Sequence, residues 1–565
     1  MTKGKVGHNN LVAKGVLEPA PKKGIVYTKP IVVNFLLDII KYTSYENIGS
    51  QTLLDIGCGY GQFIGEGARR LAIHLHQNRL RSDLITREIG YLIRGIEIRP
   101  ETATIARKKI IEGVGSVLKH DLKNTDWVKD IVIERDFLRW NSTRCFDLVV
   151  GNLPYIKYSS IEEALPGTTL EWLRDNFKSF RGRADYSVAC IEHALKFLSD
   201  KGSLAVISSN RFVTSNYGKE LRKILSNTYH IAVELDLSRT QPFTTAVSAY
   251  PSIFIIKRSL SKKFVYLSVP DLKIATLNRV ITHGTEKVSG IGIIRYKHMS
   301  LPEDGKPWAR ISERAHKIIQ RLQREYLSID SLGFKIMKGS ATGANDVFIK
   351  ATELFEKEGI KSKKYLLPLF TTASLNTDLT GLSKALLNVY NTSKGELQNF
   401  CKLPADIRKY LSRHNKRLKE RYIFRVCNRP WWSMIDSVKQ EVFFSPKILI
   451  PDFHRLDEAV IDKNGICYPD HSVWVILKNE RYLKAVQAWL KCPVSILFQL
   501  AYSSTLNGGT PRVSTVLLKT LPAPQNLEQL ELFCKKDLLT ATAEVFKLNK
   551  IEERVLKAEL LAYMD

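Results

Sequence analysis

The residues with the clearest chemical potential are Asn152, Pro154 and Tyr155, at the end of a predicted strand. The apolar run 148–150 indicates a buried strand, which ends at Gly151. The Asn152 side-chain oxygen and the Pro154 carbonyl are hydrogen-bond acceptors, and the proline nitrogen carries no competing donor. They suit a planar NH₂ group held by both hydrogens, while Tyr155 offers a ring for stacking. For this segment alone, a tight turn after a strand is an equal alternative, because Asn and Pro also favour turns.

Acidic side chains and a glycine turn accompany three further predicted strands, 52–56, 92–98 and 131–138. The carboxyl ends of parallel strands form one edge of an open α/β sheet, and ligands bind at that edge. Glycines let backbone amides approach a ligand, and carboxylates there accept hydrogen bonds from its hydroxyl or amino groups. The residues concerned are Asp55, Gly57, Gly59, Gly61, Glu97, Asp136 and Phe137. A single acid of this kind is more often a solvated strand end, so the predicted ligand site depends on their recurrence.

The elements around these strands complete an alternating α/β pattern. The sequence Tyr27-Thr28-Lys29-Pro30 precedes an amphipathic stretch that predicts a helix, with Thr28 as N-cap and Pro30 as an early helical residue. Phe243 lies in a predicted loop, where an exposed ring and a core ring are equally compatible with the pattern. Further along, the pattern predicts a loop at 159–184, a helix at 185–198, strands at 204–209, 231–235 and 252–257, and a helix ending near 226.

Composition limits the function classes. The chain has 565 residues, 44% hydrophobic and 25% charged, as expected for a globular protein of several domains. Its net charge of +28 indicates a polyanionic partner, most simply nucleic acid. The sequence has no 18-residue apolar run, and its first 25 residues lack the apolar segment of a signal peptide. We therefore expect no membrane association. The eight cysteines are scattered and show no metal-ligand spacing, so we also expect no metal, and reduced cysteines in a cytoplasmic protein.

Four segments follow from these patterns. Residues 1–24 form a polar, basic lead-in, 25–260 the alternating α/β domain, 261–305 a connecting region, and 306–565 a less regular domain with a helical tail. In the last segment, basic residues alternate with aromatic ones, which suits a phosphate-lined groove, although charge runs are usually solvated helix faces. The candidates for nucleic-acid contact are Arg413, Lys416, Arg417 and, in a loop of small polar residues, Arg512.

In their order, these motifs resemble the DNA adenine-N6 methyltransferases of bacterial restriction–modification systems with the gamma arrangement of motifs. Residues 27–30 resemble the family's motif near the methionine carboxylate of S-adenosyl-L-methionine, and 55–61 its donor-binding turn. Glu97 resembles the ribose-binding acid, and Asp136 with Phe137 the contacts to the cofactor adenine. Asn152-Leu-Pro-Tyr155 resembles the catalytic tetrad, and Phe243 the second aromatic that packs on the target base.

The resemblance implies a Rossmann-like S-adenosylmethionine-dependent methyltransferase domain, followed by a mixed α+β domain for DNA target recognition. It further implies site-specific methylation of a flipped adenine in double-stranded DNA, alongside a restriction endonuclease encoded separately. Two positions depart from the family's pattern, namely Leu153 and Lys29, where proline is usual. The form Asn-Leu-Pro-Tyr is also that of ribosomal RNA adenine methyltransferases, which remain the alternative.

Two more distant alternatives fit the sequence less well. Methyltransferases of release-factor glutamine use a related tetrad, but they explain neither the charge of +28 nor the 300 additional residues. A non-catalytic DNA-binding protein is not expected to keep all the acids of the donor site.

Overall fold

The computed structural model describes residues 26–564 with gaps at 120–121, 123–124, 246–249, 260–263, 284–292, 299–300, 392–394 and 505–509. The predicted lead-in, 1–24, lies outside the described residues. A nine-stranded sheet dominates the first half, in the order β3-β2-β1-β4-β5-β7-β6-β8-β9. Its strands are β1 Leu53–Ile56, β2 Ile93–Glu97, β3 Val132–Glu134, β4 Phe146–Asn152, β5 Leu198–Ser209, β6 His230–Asp236, β7 Pro251–Lys257, β8 Phe264–Ser268 and β9 Ile294–His298.

Strand direction in this sheet is mostly parallel. Strands β3, β2, β1, β4 and β5 pair in parallel, whereas β7 runs antiparallel to both of its neighbours, β5 and β6. Strand order reverses between β1 and β4, because β2 and β3 extend to one side of β1 and β5 to the other side of β4. A crevice for ligands opens at such a reversal, outside the carboxyl ends of the strands.

Helices cover both faces of the sheet. Alternation along β4 explains this, because Leu148 and Val150 enter one core cluster and Val149 the other. The first-half helices are α1 Pro30–Ile39, α2 Gln62–Gln77, α3 Ser82–Leu92, α4 Pro100–Leu118, α5 Ile161–Ala164, α6 Leu170–Asn176, α7 Tyr186–Ala194, α8 Lys219–Asn227 and α9 Ile274–Thr282. The predicted α/β class is therefore confirmed.

The second half contains two four-stranded sheets, ordered β10-β17-β14-β15 and β11-β13-β12-β16. It has two core clusters, and strands β14 and β17 contribute residues to both. Their strands are β10 Lys335–Lys338, β11 Ile349–Ala351, β12 Leu366–Phe370, β13 Lys384–Leu387, β14 Lys447–Pro451, β15 Val460–Asp462, β16 Tyr468–Pro469 and β17 Val473–Leu477. The helices that accompany them are α10 Glu313–Glu325, α11 Asn345–Phe348, α12 Thr352–Lys357, α13 Ala405–Arg413, α14 Asn415–Lys419, α15 Tyr422–Arg425, α16 Gln440–Phe444, α17 Leu483–Leu490, α18 Pro493–Tyr502, α19 Thr515–Thr520, α20 Leu527–Lys535, α21 Leu538–Val545 and α22 Lys550–Met564.

Three sequence-based boundaries are wrong. Residues 261–305 do not merely connect two domains, because β8, α9 and β9 lie there and extend the first sheet. The third strand ends at Glu134, since Asp136 begins a short 3₁₀ helix, Phe137–Arg139. The predicted loop 159–184 contains α5 and α6.

The N-cap assignment is also wrong. Lys29 is the N-cap of α1, and Thr28 instead forms an antiparallel bridge with Phe243. Pro30 is the first helical residue, as predicted, because its fixed φ suits that position.

Candidate functional site

A cavity of about 330 Å³ lies at the carboxyl edge of the large sheet, where strand order reverses. Four consecutive strands, β1 to β4, end against it, so residues far apart in sequence meet there. The cavity is lined by nine of the residues predicted for the site, which are Tyr27, Thr28, Gly57, Gly59, Glu97, Asp136, Phe137, Asn152 and Pro154. Asp55, Gly61, Tyr155 and Phe243 are not among its lining residues.

The glycine turn after β1 requires glycine for two different reasons. Gly57, Gly59 and Gly61 all have positive φ, at 72°, 53° and 80°. A Cβ on Gly61 would lie 2.9 Å from the Ala106 Cα, so this glycine also allows α2 and α4 to pack closely. A Cβ on Gly57 would have no atom within 4 Å, because this residue faces open space at the cavity. The backbone at Gly57 is therefore open to a ligand.

Two buried carboxyl groups hold the turn. The Ile64 N–H donates to Asp55 Oδ2 at 3.0 Å, while Asp55 Oδ1 is buried with no partner among the described residues. Glu97 Oε2 accepts from the Gly59 N–H at 3.0 Å, and Oε1 from the Arg99 N–H at 3.1 Å. Burial raises the pKa of Asp55 to about 8; the Ile64 N–H opposes this rise and the nearby Glu97 carboxylate adds to it.

Asp136 and Phe137 form a polar and aromatic pair beside β3. Asp136 caps the short 3₁₀ helix by accepting a hydrogen bond from the Leu138 N–H at 3.0 Å. Burial raises the pKa of Asp136, although the Leu138 N–H and Arg139 oppose this rise. The half-buried Phe137 ring packs edge-on against His193, with ring centroids 5.0 Å apart, and lines the cavity. An acid and a ring thus border the same space.

Asn152 has a fixed amide orientation. Its Nδ2 donates to the Val26 carbonyl at 2.8 Å, while its Oδ1 is buried without a partner among the described residues. The flipped amide would place Asn152 Oδ1 against the Val26 carbonyl oxygen, and the two acceptors would repel each other. The Val26 carbonyl therefore keeps Oδ1, and not Nδ2, available to the site. A buried acceptor without a donor is costly, and a ligand N–H would remove that cost.

Tyr155 and Phe243 do not face each other across a gap, contrary to the prediction. Their ring centroids are 5.4 Å apart with an interplanar angle of 70°, an edge-to-face contact that leaves no room for a base between them. Phe243 is 0% exposed and belongs to the core, so the core interpretation of this residue is correct. The Tyr155 hydroxyl is buried, and burial raises its pKa above the usual range.

The segment 26–29 closes one side of the site. The Lys29 N–H donates to the Pro242 carbonyl at 3.0 Å, and the Thr244 N–H to the Tyr27 carbonyl at 3.0 Å. The Tyr27 ring stacks on Tyr60 at 4.1 Å. The chain before α1 and the loop before β7 therefore form one wall beside Asn152, which sequence patterns do not indicate.

Several further residues line the cavity that were not predicted from the sequence. Tyr186 and Cys190 lie one turn apart on α7 and are both buried, and Arg135 precedes Asp136. The one-turn spacing on a predicted helix was the available signal, since it places both side chains on one face. Leu165 and Pro166 follow α5, and no pattern in the sequence connects them with the site.

The four predicted DNA-contact residues lie in two places. Arg413, Lys416 and Arg417 are exposed residues of α13 and α14. Arg413 donates to the Glu358 carbonyl, and Arg417 lies 3.4 Å from an Asp346 carboxylate oxygen. Arg512 lies instead in a second cavity, described below. The structure therefore does not bring Arg512 into the basic segment.

Two general expectations concern features outside this cavity. None of the helices in the described ranges is long and apolar enough to cross a membrane. Over the same ranges, no three His, Cys, Asp or Glu side chains are grouped as a metal site. All eight cysteines are free, four buried and four exposed.

Comparison with known proteins gives consistent matches. A family model described as Eco57I restriction-modification methylase matches residues 85–243. Type II methyltransferase M.BstVI of Geobacillus stearothermophilus is 30% identical over 565 residues, covering 95% of this chain and 98% of the relative. Type II methyltransferase M.PaeR7I of Pseudomonas aeruginosa is 27% identical over 562 residues, covering 96% and 94%. The solved structure of the Type IIL restriction-modification enzyme MmeI with DNA has a TM-score of 0.57 at 13% identity, over 95% of this chain and 74% of that chain, which shows a similar fold.

Proposed function

The chain belongs to the Type II methyltransferases of restriction–modification systems, and from that premise we propose that it methylates the N6 amino group of adenine at a specific sequence in double-stranded DNA. Membership of this family supports a DNA methyltransferase with S-adenosyl-L-methionine as methyl donor. Its first half has the Rossmann-like fold of such methyltransferases. The finer assignment to adenine N6 rests chiefly on the unpartnered Asn152 oxygen beside the cavity.

The residues around the cavity fit S-adenosyl-L-methionine. Asp55 has a buried oxygen without a partner among the described residues, and the backbone at Gly57 faces open space. In this proposal Glu97 binds the ribose hydroxyls, and Asp136 with Phe137 binds the adenine base. Tyr27 and Thr28, which also line the cavity, would lie near its methionine carboxylate. When bound, the donor supplies an electrophilic methyl group carried on a sulfonium.

Asn152 and Pro154 activate the amine by positioning it. The lone pair of an adenine amino nitrogen is delocalised into the ring, which makes the nitrogen a poor nucleophile. Asn152 Oδ1 and the Pro154 carbonyl accept its two hydrogens, which reduces the delocalisation of the lone pair and directs it toward the methyl group. The nitrogen then forms its bond to the methyl carbon as the sulfur–methyl bond breaks, so that a neutral thioether is the leaving group. The methylated nitrogen afterwards releases one proton to water. Positioning and fixed acceptors supply the acceleration, without a strong general base.

The target base must leave the duplex to reach these acceptors. Tyr155 is the proposed stacking ring, a contact worth about 1–3 kcal/mol per base. Phe243 is not retained as the opposing face, because its ring packs against the edge of Tyr155. We assign it instead to holding the Tyr155 ring in position.

Residues 306–565 are proposed to recognise the DNA sequence. The charge of +28 supplies salt-dependent affinity for the backbone, and Arg413, Lys416, Arg417 and Arg512 remain candidates for contact. A restriction endonuclease encoded separately is the proposed functional partner.

Replacing Asn152 with alanine tests the proposal. The Asn152→Ala variant loses one of the two acceptors, so we expect methyl transfer to fall by about 10²–10³-fold or more, the range for loss of one fixed transition-state contact. Transfer of labelled methyl groups to DNA gives the rate. Titration calorimetry with S-adenosyl-L-methionine and DNA-binding assays should give affinities close to those of the wild type.

The matched control is Asn78→Ala, an exposed asparagine at the end of α2. This variant should keep full activity. Wild-type turnover in Asn152→Ala would contradict the mechanism.

A further inference from the structure

A second cavity, of about 740 Å³, lies between the segment after β5 and the second half of the chain. Its wall is strongly biased in charge. Four of its described lining residues are Arg or Lys and none is Asp or Glu, whereas the whole chain has 85 basic and 57 acidic residues. Hydroxyl and amide side chains supply most of the remaining wall. The basic lining residues are Arg211, Lys306, Arg324 and Arg512.

Arg211 is held rigidly at one side of this cleft. Its Nη1 lies 3.4 Å from Asp185 Oδ2, and the Tyr217 hydroxyl donates to the same oxygen at 2.8 Å. The guanidinium carbon lies 5.8 Å from the Tyr217 ring centroid and 5.6 Å from that of Tyr250. An arginine has five N–H donors, and Asp185 engages only one side of the guanidinium. The remaining donors are therefore held in a fixed direction at low cost in side-chain entropy.

The opposite wall carries buried polar atoms that lack hydrogen bonds. Ser503 Oγ and Arg512 Nε are buried and make no hydrogen bond within the described ranges. Arg512 lies over the Phe453 ring, at 5.5 Å, with its Nε 3.6 Å from Asp452 Oδ1. The buried Arg310 fixes this wall by donating to the Ser503 carbonyl at 3.3 Å. Buried donors that lack a hydrogen bond are expensive, so this wall is suited to an oxygen-rich ligand.

The cleft adjoins the strand that carries the tetrad. In the pairing of β4 with β5, Asn152 is opposite Ile207, and Arg211 follows Ile207 by four residues. Asp185, which holds Arg211, directly precedes α7, whose Tyr186 lines the first cavity. The basic cleft and the methyl-transfer site thus occupy neighbouring positions along one sheet edge.

We infer that this cleft binds the sugar–phosphate backbone of the DNA strand beside the target base, with Arg211 and Arg512 each contacting a phosphate. The inference deepens the proposed function and rests on it. Phosphate oxygens match the arginine donors and the serine hydroxyl, and the described lining residues include no Asp or Glu that would repel a polyanion. These two contacts position the strand and carry no sequence information. The exposed segment at Arg413 to Arg417 lies apart from this cleft.

The test measures the affinity for duplex DNA, by fluorescence anisotropy, over a range of salt concentrations. Each phosphate contact contributes about 0.9 to the slope of log K against log salt. We expect Arg211→Gln and Arg512→Gln each to lower this slope by about 0.9 and to weaken binding about tenfold at low salt. Affinity for S-adenosyl-L-methionine, measured by calorimetry, should be unchanged in both variants.

Two further variants keep the test decisive. Lys306→Gln removes a basic side chain of the cleft that is 74% exposed, so it preserves the fold. Because no phosphate contact is assigned to Lys306, this variant should lower the slope by less than about 0.9. Arg81→Gln, at an exposed arginine outside the cleft, should leave the slope unchanged. Unaltered slopes in all three cleft variants, with a wild type that binds DNA normally, would overturn this inference alone. A wild type without affinity for duplex DNA would overturn the proposed function as well.

Discussion

At the scale of single residues, the site depends on polar atoms that the protein leaves without partners. Asn152 Oδ1 and Asp55 Oδ1 are both buried at the same sheet edge and make no hydrogen bond among the described residues. Folding keeps such atoms only when the surrounding structure is stable enough to hold them. Their positions are consistent with the proposed amine acceptor and donor-binding acid.

Asp55 predicts an unusual pH dependence of stability. Its pKa rises from 3.8 to about 8 on folding, so the folded chain binds a proton that the unfolded chain has lost between about pH 4 and pH 8. The stabilising contribution of this carboxyl therefore falls as pH rises through that interval. Urea denaturation should show the wild type losing stability relative to Asp55→Asn from pH 4 to pH 8.

The matched control for this prediction is Asp83→Asn, at an exposed acid. Its stability should follow that of the wild type at every pH. If the stability of the wild type relative to Asp55→Asn stayed constant or increased from pH 4 to pH 8, the pKa of Asp55 would not be raised by folding.

Sequence reasoning located the acids at this scale but not the aromatic contacts. Acids that follow apolar strands must lie at the carboxyl edge, so Glu97 and Asp136 could be placed from the strand pattern. The role of Phe243 could not, because a core ring and an exposed ring have the same local pattern. Its burial depends on the bridge to Thr28, more than 200 residues earlier in the chain.

At the scale of elements, the glycine turn connects β1 to α2 and serves both packing and binding. Gly61 packs against the backbone of α4, whereas Gly57 faces open space at the cavity. The two glycines have similar φ values, 80° and 72°, so alanine causes similar backbone strain at both positions. Any further difference between the two alanine variants therefore reports on packing at Gly61 and on binding at Gly57.

Alanine at these glycines should have different effects. Gly61→Ala combines left-handed backbone strain with a collision against α4, and we expect a loss of about 2–5 kcal/mol in the free energy of unfolding. Gly57→Ala adds only the strain, about 1–2 kcal/mol, but places a methyl group at the cavity. Its affinity for S-adenosyl-L-methionine should fall more than about tenfold. Urea denaturation and calorimetry measure the two effects, and a greater loss of stability in Gly57→Ala would refute this division.

Element boundaries were predictable where local signals decide them and not where distant pairing decides them. Pro30 begins α1 because its φ is fixed locally. Thr28 was expected to cap that helix, yet its backbone pairs with Phe243, which a local pattern does not reveal. Strands β8 and β9 were missed for a similar reason, since their pairing with β6 and with each other stabilises them in a region of mixed composition.

At the scale of the whole molecule, a buried ion pair connects the two halves. Arg310 Nη2 lies 2.8 Å from Glu234 Oε1 on β6, and both side chains are at most 3% exposed. The Arg310 N–H donates to the Ala501 carbonyl on α18, so this residue joins the large sheet to the second half. No local pattern indicates these contacts, because Glu234 and Ala501 lie 76 and 191 positions away from Arg310.

Breaking this pair should destabilise the protein. Arg310→Met leaves the Glu234 carboxyl buried and unpaired, for which we expect a loss of about 3–5 kcal/mol in the free energy of unfolding. The double variant Arg310→Met/Glu234→Gln removes the unpaired charge and should recover much of that loss. Denaturation monitored by tryptophan fluorescence compares the three proteins. A double variant as unstable as the single one would show that the loss does not come from an unpaired Glu234 charge.

The identity of the methylated base is the most direct test of the proposed function. Methyl groups from labelled S-adenosyl-L-methionine would be followed into unmethylated bacterial duplex DNA, with total RNA in a parallel reaction. We predict label in DNA alone, recovered as N6-methyladenine at one recurring sequence. Label in RNA alone, label on another DNA base, or no incorporation into either nucleic acid would contradict it.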